Sequence, residues 1–375
     1  REHTKKSGVI KENALFCDLG DDERNPSVIR EKIYESLKKI SNPISSIHLN
    51  YTGGTKPMAV HSYRVIENSV KNNCNIILSD LCPNNYKIIV VDNKYKYPVN
   101  GDLRDKIKVS ISDILDLHNM KIDNHGLEKT TFPDLNLNDF VKNVMDKMDE
   151  YKYHSQNIKN YSKQETRYRN YNKDSTQKQE LIREIKNLFS NNNGSYYNSF
   201  IKDFSTLKNS IFNKYSIVGN REIDFYEFFN GKWLEDFTLA TLLNLKNKKV
   251  NDIKKNVKAS YGGRETEIDV VVMKGYQMYL ISCTTSQEIK FVKQKAFEAL
   301  YRAEQLAREH AQAIVVSLMN NKPLKNNAYN NLEELKKDLS QFDATKNCRL
   351  IGLDEIKGEV TGKNSLSNKL KEIIG

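Results

Sequence analysis

The chain has 375 residues, enough for two domains that each bury a core. Its 38% hydrophobic and 29% charged residues exclude an extended disordered chain, and no run of about 18 apolar residues offers a membrane span. Lys and Arg total 59 against 48 Asp and Glu, a net charge of +11 that suits a polyanionic partner as readily as a solvated lysine-rich surface.

Arg1 to Lys6 is polar and basic with no apolar core behind it, which is not a signal peptide. Cys17, Cys74, Cys82, Cys283 and Cys348 form no CxxC, and the histidines show no HExxH or HxxxH spacing. A zinc site is therefore not expected, and the reducing cytoplasm is the expected compartment.

In chain order, Asn13–Cys17 reads as a short strand. Pro26–Ile40 is helical, with Ile29, Ile33, Leu37 and Ile40 at three- and four-residue spacing and Pro26 in the first turn. Ser45–Asn50 is a strand running into Thr52-Gly53-Gly54-Thr55-Lys56-Pro57, and Met58–Val70 is helical. Asn75–Leu81 and Lys87–Val91 are strands, so the βαβ order predicts a largely parallel sheet with helices on both faces. Val109–His118 reads as a short strand and helix closing this domain at about residue 120.

Residues 121–224 are rich in Asn, Lys, Tyr and Ser, with few apolar residues outside Leu181–Phe189. They read as a polar connector with exposed helices. The second domain, 225–375, opens on an amphipathic helix in Gly231–Leu245. Strands follow at Val250–Val257, Glu267–Met273 and Gln277–Cys283, then a helix at Phe291–His310 and a strand at Ala313–Met319. Leu332–Leu339 is helical and Leu350–Leu353 is a last strand. The leading order is α-β-β-β-α-β.

Two places carry chemistry. Thr52 to Lys56 joins a strand to a helix, where two glycines allow close approach and amides at the helix start favour anions. Thr52 and Thr55 add hydroxyls and Lys56 a point charge. Lys56 is followed by Pro57, so this is not a Walker A loop, and a plain tight turn has the same pattern. The second place is Glu267-Ile268-Asp269-Val270-Val271-Val272-Met273, which sets an acid in an apolar strand at a cost that a metal or partner must offset. A two-residue turn at Gly275-Tyr276 sets Asp269 opposite Ser282 and Glu267 opposite Thr284, with Cys283 facing away. Glu235 on the preceding helix and Asp269 then make a ligand pair for Mg²⁺ or Mn²⁺.

Asn50-Tyr51-Thr52-Gly53-Gly54-Thr55-Lys56-Pro57-Met58 resembles the ligand loop of CARF domains, the CRISPR-associated Rossmann fold. Glu235, Asp269 and the run Ser282-Cys283-Thr284 resemble a PD-(D/E)xK nuclease. Together, over about 1–120 and 225–360, the chain is similar to the CARF-nuclease effectors of type III CRISPR systems. The resemblance implies an N-terminal Rossmann-like domain, expected to lack its first strand here, and a C-terminal restriction-endonuclease-like α/β domain. It implies a homodimer whose sensor pocket, lined by Thr52, Gly53, Gly54, Thr55, Lys56 and Met58, takes cyclic tetra-adenylate or cyclic hexa-adenylate. It implies a Mg²⁺- or Mn²⁺-dependent nuclease cutting DNA, RNA or both, with Glu235, Asp269, Ser282 and Thr284 at the site. The family places lysine where Thr284 stands. Either the nuclease is inactive, leaving a ligand-binding scaffold, or the lysine has moved to Lys293 or Lys295 on the next helix.

Overall fold

The computed structural model describes residues 17–152 and 231–375, apart from short stretches between elements. Residues 1–16 and 153–230 lie outside the described part, and with them the strand expected at Asn13–Cys17, except Cys17, and most of the connector. Two compact units form, Arg1–Val109 and Ser110–Gly375.

In the first unit Asn25 caps α1 (Pro26–Lys38) by accepting the Ser27 amide at 3.0 Å. Then come β1 (Ser46–Asn50), α2 (Lys56–Ser69), β2 (Asn75–Cys82), β3 (Lys87–Val91), β4 (Lys96–Pro98) and α3 (Leu103–Lys106). The sheet runs β1-β2-β3-β4. β1 and β2 are parallel with α2 as their crossover, but β2–β3 and β3–β4 are antiparallel. This corrects the largely parallel sheet expected from the element order. Four residues separate Cys82 from Lys87, too few for the crossover a parallel partner needs.

The second unit comprises α4 (Ile111–Leu117), β5 (Lys121–Asn124), α5 (Leu137–Asp146), α6 (Trp233–Leu243), β6 (Asp252–Tyr261), β7 (Arg264–Lys274) and β8 (Gln277–Thr284). It continues through α7 (Ile289–Ala307), β9 (Ala311–Ser317), α8 (Leu332–Gln341), β10 (Cys348–Ile351), α9 (Leu353–Thr361) and α10 (Leu366–Ile374). Six strands run β10-β9-β8-β7-β6-β5. β8, β9 and β10 are mutually parallel with helical crossovers, and the remaining pairs are antiparallel. Gly275 holds φ at +63° in the two-residue turn between β7 and β8, a conformation glycine adopts without strain.

Ser110–Asp146 belongs to this unit, not to the first domain and connector assigned from composition. α4 buries Ile111, Ile114 and Leu115, and its Ile111 amide donates to Asp252 at 3.0 Å. α5 sends Phe140, Val141, Val144 and Met145 into the core. α6 is also not the amphipathic helix expected. Trp233, Leu234, Asp236, Phe237, Thr238, Leu239, Thr241 and Leu242 are all buried, because α5 and α10 cover it on the side away from the sheet. Alternate strand residues Val270, Val272, Tyr279, Ile281 and Cys283 face this helical layer. Val271, Met273, Met278 and Leu280 are buried on the other face, where α7 packs. Among the described residues no helix is long and apolar enough to cross a membrane.

Candidate functional site

β7 and β8 part at one end, and that opening makes a site. Their ladder ends at Val270↔Ile281. Beyond it the Cys283 amide donates to Asp269 Oδ2 at 2.7 Å, and the Ser282 hydroxyl donates to the same oxygen at 3.2 Å. The carboxylate thus partners a strand amide past the last backbone pair. Cys283 points to the opposite face, where its thiol donates to Thr238 Oγ1 of α6 at 3.6 Å. Glu235 precedes Thr238 by one turn, close enough to Asp269 for the two charges to repel.

Burial, then the Asp269 charge, pushes the Glu235 carboxyl up to about 8 against weaker pulls from Lys232 and Lys255. Burial also raises Asp269, opposed by the Cys283 amide, Lys295, the Ser282 hydroxyl and Arg302. Two acids held toward their protonated forms fit a hard divalent cation, which would remove both burdens. Oxygen donors of this kind suit Mg²⁺ or Mn²⁺. Among the described residues no group of three His, Cys, Asp or Glu gathers to hold a metal. The remaining positions would fall to water and phosphate oxygens, the usual lot of Mg²⁺.

The two candidate lysines on α7 part company. The Lys295 charge acts on Asp269. Lys293 lies on the other border, where its ammonium meets Asp338 of α8 at 2.8 Å. The β7–β8 ladder stops short of the Glu267 and Thr284 positions. With the β7–β8 ladder ended, Glu267 pairs instead with Lys258 of β6 at 3.4 Å. Thr284 accepts the Ser286 amide at 3.2 Å.

Three partners were not foreseen from sequence. Arg302 acts on Asp269 and lies seven residues beyond Lys295, two helical turns on the same border, so its position was readable once Lys295 was suspected. Asp236 and Lys255 form a fully buried ion pair between α6 and β6, directly beside Glu235, with no local sequence signal.

In the first unit, the strand-to-helix turn is held by its own hydrogen bonds. Thr52 donates its amide to Asn50 Oδ1 at 3.2 Å and accepts the Leu81 amide on its hydroxyl at 2.8 Å. Thr55 caps α2, its hydroxyl accepting the Met58 amide at 3.4 Å. Gly54 sits at φ +93°, and Lys56 is exposed at the helix start. Gly53 lies outside the described residues. The other five expected loop residues, Thr52, Gly54, Thr55, Lys56 and Met58, meet at this corner. Sequence reasoning missed the polar ladder leading into it. Ser79 of β2 is buried, and its hydroxyl meets His48 Nε2 at 2.7 Å and Asn50 Nδ2 at 2.9 Å. His48 and Asn50 alternate with apolar Ile47 and Leu49, the one available signal.

By fold, the chain combines a four-stranded α/β unit with a six-stranded mixed α/β unit. No protein-family profile matches it, and no curated protein sequence does. Two solved structures share the fold along most of the chain. VC1899 from Vibrio cholerae does so with TM-score 0.59 and 17% identity, over 99% of this chain and 86% of that one. Can2 from Sulfobacillus thermosulfidooxidans, in complex with cyclic tetra-adenylate, does so with TM-score 0.54 and 15% identity, over 94% of this chain and 80% of that one.

Proposed function

We propose that this protein is a metal-dependent nuclease switched on by a cyclic oligoadenylate. The observation that carries the reading is the half-buried acid pair Glu235 and Asp269 at the opening between β7 and β8, with the Lys295 charge acting on it. Glu235 and Asp269 would hold Mg²⁺ or Mn²⁺. Such an ion neutralises phosphate charge and acidifies water. Ser282 and the Cys283 amide orient Asp269, and Lys295 steadies the charge that develops on the scissile phosphate. Basic surface would hold the DNA or RNA with strong salt dependence.

The activator is assigned to the first unit. Thr52, Gly53, Gly54, Thr55, Lys56 and Met58 would line a pocket on the two-fold axis of a homodimer, taking cyclic tetra-adenylate or cyclic hexa-adenylate. Support comes from the turn geometry and from the fold shared with Can2, which was solved with cyclic tetra-adenylate. A ligand that binds two arrangements unequally shifts the nuclease pair between them. This is an activity for the cytoplasm in type III CRISPR antiviral defence.

The test is cleavage of labelled DNA and RNA with Mn²⁺, with and without each cyclic oligoadenylate. Activator-dependent cutting lost in Asp269→Ala supports the proposal, and wild-type protein that binds the activator but cuts nothing refutes it. Thr284 in the usual lysine position favours a second reading, a ligand-binding scaffold with an inactive nuclease unit. The same assay separates the two.

A further inference from the structure

A lysine on a strand is fixed by its sheet, but a lysine on a helix border needs something to aim it. Lys295, Glu298 and Arg302 lie three and four residues apart on α7 and share one stripe. Glu298 uses both oxygens: Oε2 is 3.5 Å from the Lys295 ammonium, and Oε1 pairs with the Arg302 guanidinium. The other arm of Arg302 donates to the Glu267 carbonyl at 2.6 Å, two residues before Asp269 on β7. The contacts run from the Asp269 strand through Arg302 and Glu298 to Lys295, whose charge acts on Asp269 through space. An isolated surface ion pair does little. Here one end of the network is anchored on strand backbone, so it has a fixed reference for direction.

We propose that Glu298 is a positioning residue that holds the Lys295 ammonium toward Asp269, with Arg302 setting Glu298 in place. This rests on the reading of Lys295 as the group that steadies phosphate charge. Glu298 itself touches neither carboxylate of the metal pair in this arrangement, since both its oxygens are engaged by cations.

The test uses full-length protein with ¹³C-dimethylated lysines, the Lys295 resonance being assigned by Lys295→Arg. The shift of that resonance on Asp269→Asn measures the coupling of the two groups and needs no cleavage. The shift is expected in the wild-type background, lost with Glu298→Gln and Arg302→Met, and partly retained with Glu298→Asp. In the cleavage assay Glu298→Gln lowers kcat about a hundredfold with KM unchanged, the size of effect a misplaced group has. Coupling that persists in Glu298→Gln, or is absent from the wild-type background, overturns the proposal. So does coupling lost with kcat intact. Failure of the nuclease reading is seen separately, as wild-type protein that cuts nothing while the resonance still reports where Lys295 is held.

Discussion

The Cys283 amide donates to the Asp269 carboxylate at 2.7 Å just past the last backbone pair of β7 and β8. One side chain therefore both completes a strand and offers its charge to the opening. Removing it has two opposed effects. Asp269→Ala leaves the Cys283 amide without its acceptor, a cost of about 1–3 kcal/mol, and it also removes a half-buried charge that desolvation disfavours. The metal-free variant is expected to differ little from wild type in melting temperature. Mn²⁺ separates them: wild type gains about 2.7 kcal/mol at a hundredfold excess over Kd, and Asp269→Ala and Glu235→Ala gain nothing. Scanning fluorimetry with and without Mn²⁺ reads this, and equal stabilisation of the alanine variants rules out the ligand pair.

Glu235 predicts a pH dependence. Its carboxyl is shifted from an ordinary value of 4.5 up to about 8 in the folded, metal-free chain. The folded state then binds the proton more tightly than the unfolded state does, so stability falls as pH rises through that window. Below 4.5 both states carry the proton and no penalty exists; above 8 the whole penalty is present. Glu235→Gln should be more stable than wild type at pH 8 and indistinguishable near the lower end. Denaturant unfolding across that range, in EDTA, measures it. A wild-type profile parallel to that of the glutamine variant contradicts the assignment.

The Asp236–Lys255 pair is fully buried, and breaking either half takes the opposite charge away from a charged group in the core. Lys255→Met is expected to cost about 3–5 kcal/mol, and the double change Asp236→Leu with Lys255→Met much less, because a buried pair barely repays its own desolvation. A double-mutant cycle by urea unfolding decides it. Additive losses would mean that the pair does not act as a unit.

How legible all this is from the sequence depends on range. The Gly275-Tyr276 turn sets the register of β7 and β8 by itself, and with it the meeting of Asp269 and Ser282. Element order points to a parallel β3, but the short connection after Cys82 makes it antiparallel. α5 hid within the polar connector, since the Phe140–Met145 face is brief and its partners Trp233 and Phe237 lie some ninety residues on. Asp236 and Lys255 were invisible for the same reason: an ion pair between a helix and a strand leaves no spacing to read.

Gly54 and Lys56 allow the ligand loop to be tested apart from the fold. At φ +93° a side chain is strained, and a Cβ would sit 3.3 Å from Met58 Sδ. Gly54→Ala should cost about 1–3 kcal/mol of stability in the first unit and weaken cyclic tetra-adenylate binding. Lys56 is exposed, so Lys56→Ala should leave stability unchanged while lowering affinity and flattening its salt dependence. Calorimetric titration at two salt concentrations reads both. Unchanged affinity in both variants removes the loop from the binding site.

Thr284 stands where the resemblance to PD-(D/E)xK nucleases implies a lysine, and Lys295 is the proposed replacement. Lys295→Ala is expected to lower the cleavage rate on the order of a hundred- to a thousandfold, the usual effect of deleting one donor aimed at developing charge. Thr284 closes β8, and its hydroxyl accepts the Ser286 amide at the strand end. A lysine there would extend from the same strand as Ser282, whose hydroxyl already meets Asp269. Thr284→Lys in the Lys295→Ala background should therefore recover much of the lost rate. Placed in the wild-type chain it should add little, because the position beside the phosphate is taken. Rescue in the first background with no gain in the second means that one charge is needed and either element can deliver it. If Thr284→Lys fails to rescue while Lys295→Ala is inactive, α7 supplies something beyond charge. If Lys295→Ala cuts at the wild-type rate, the relocated lysine is excluded.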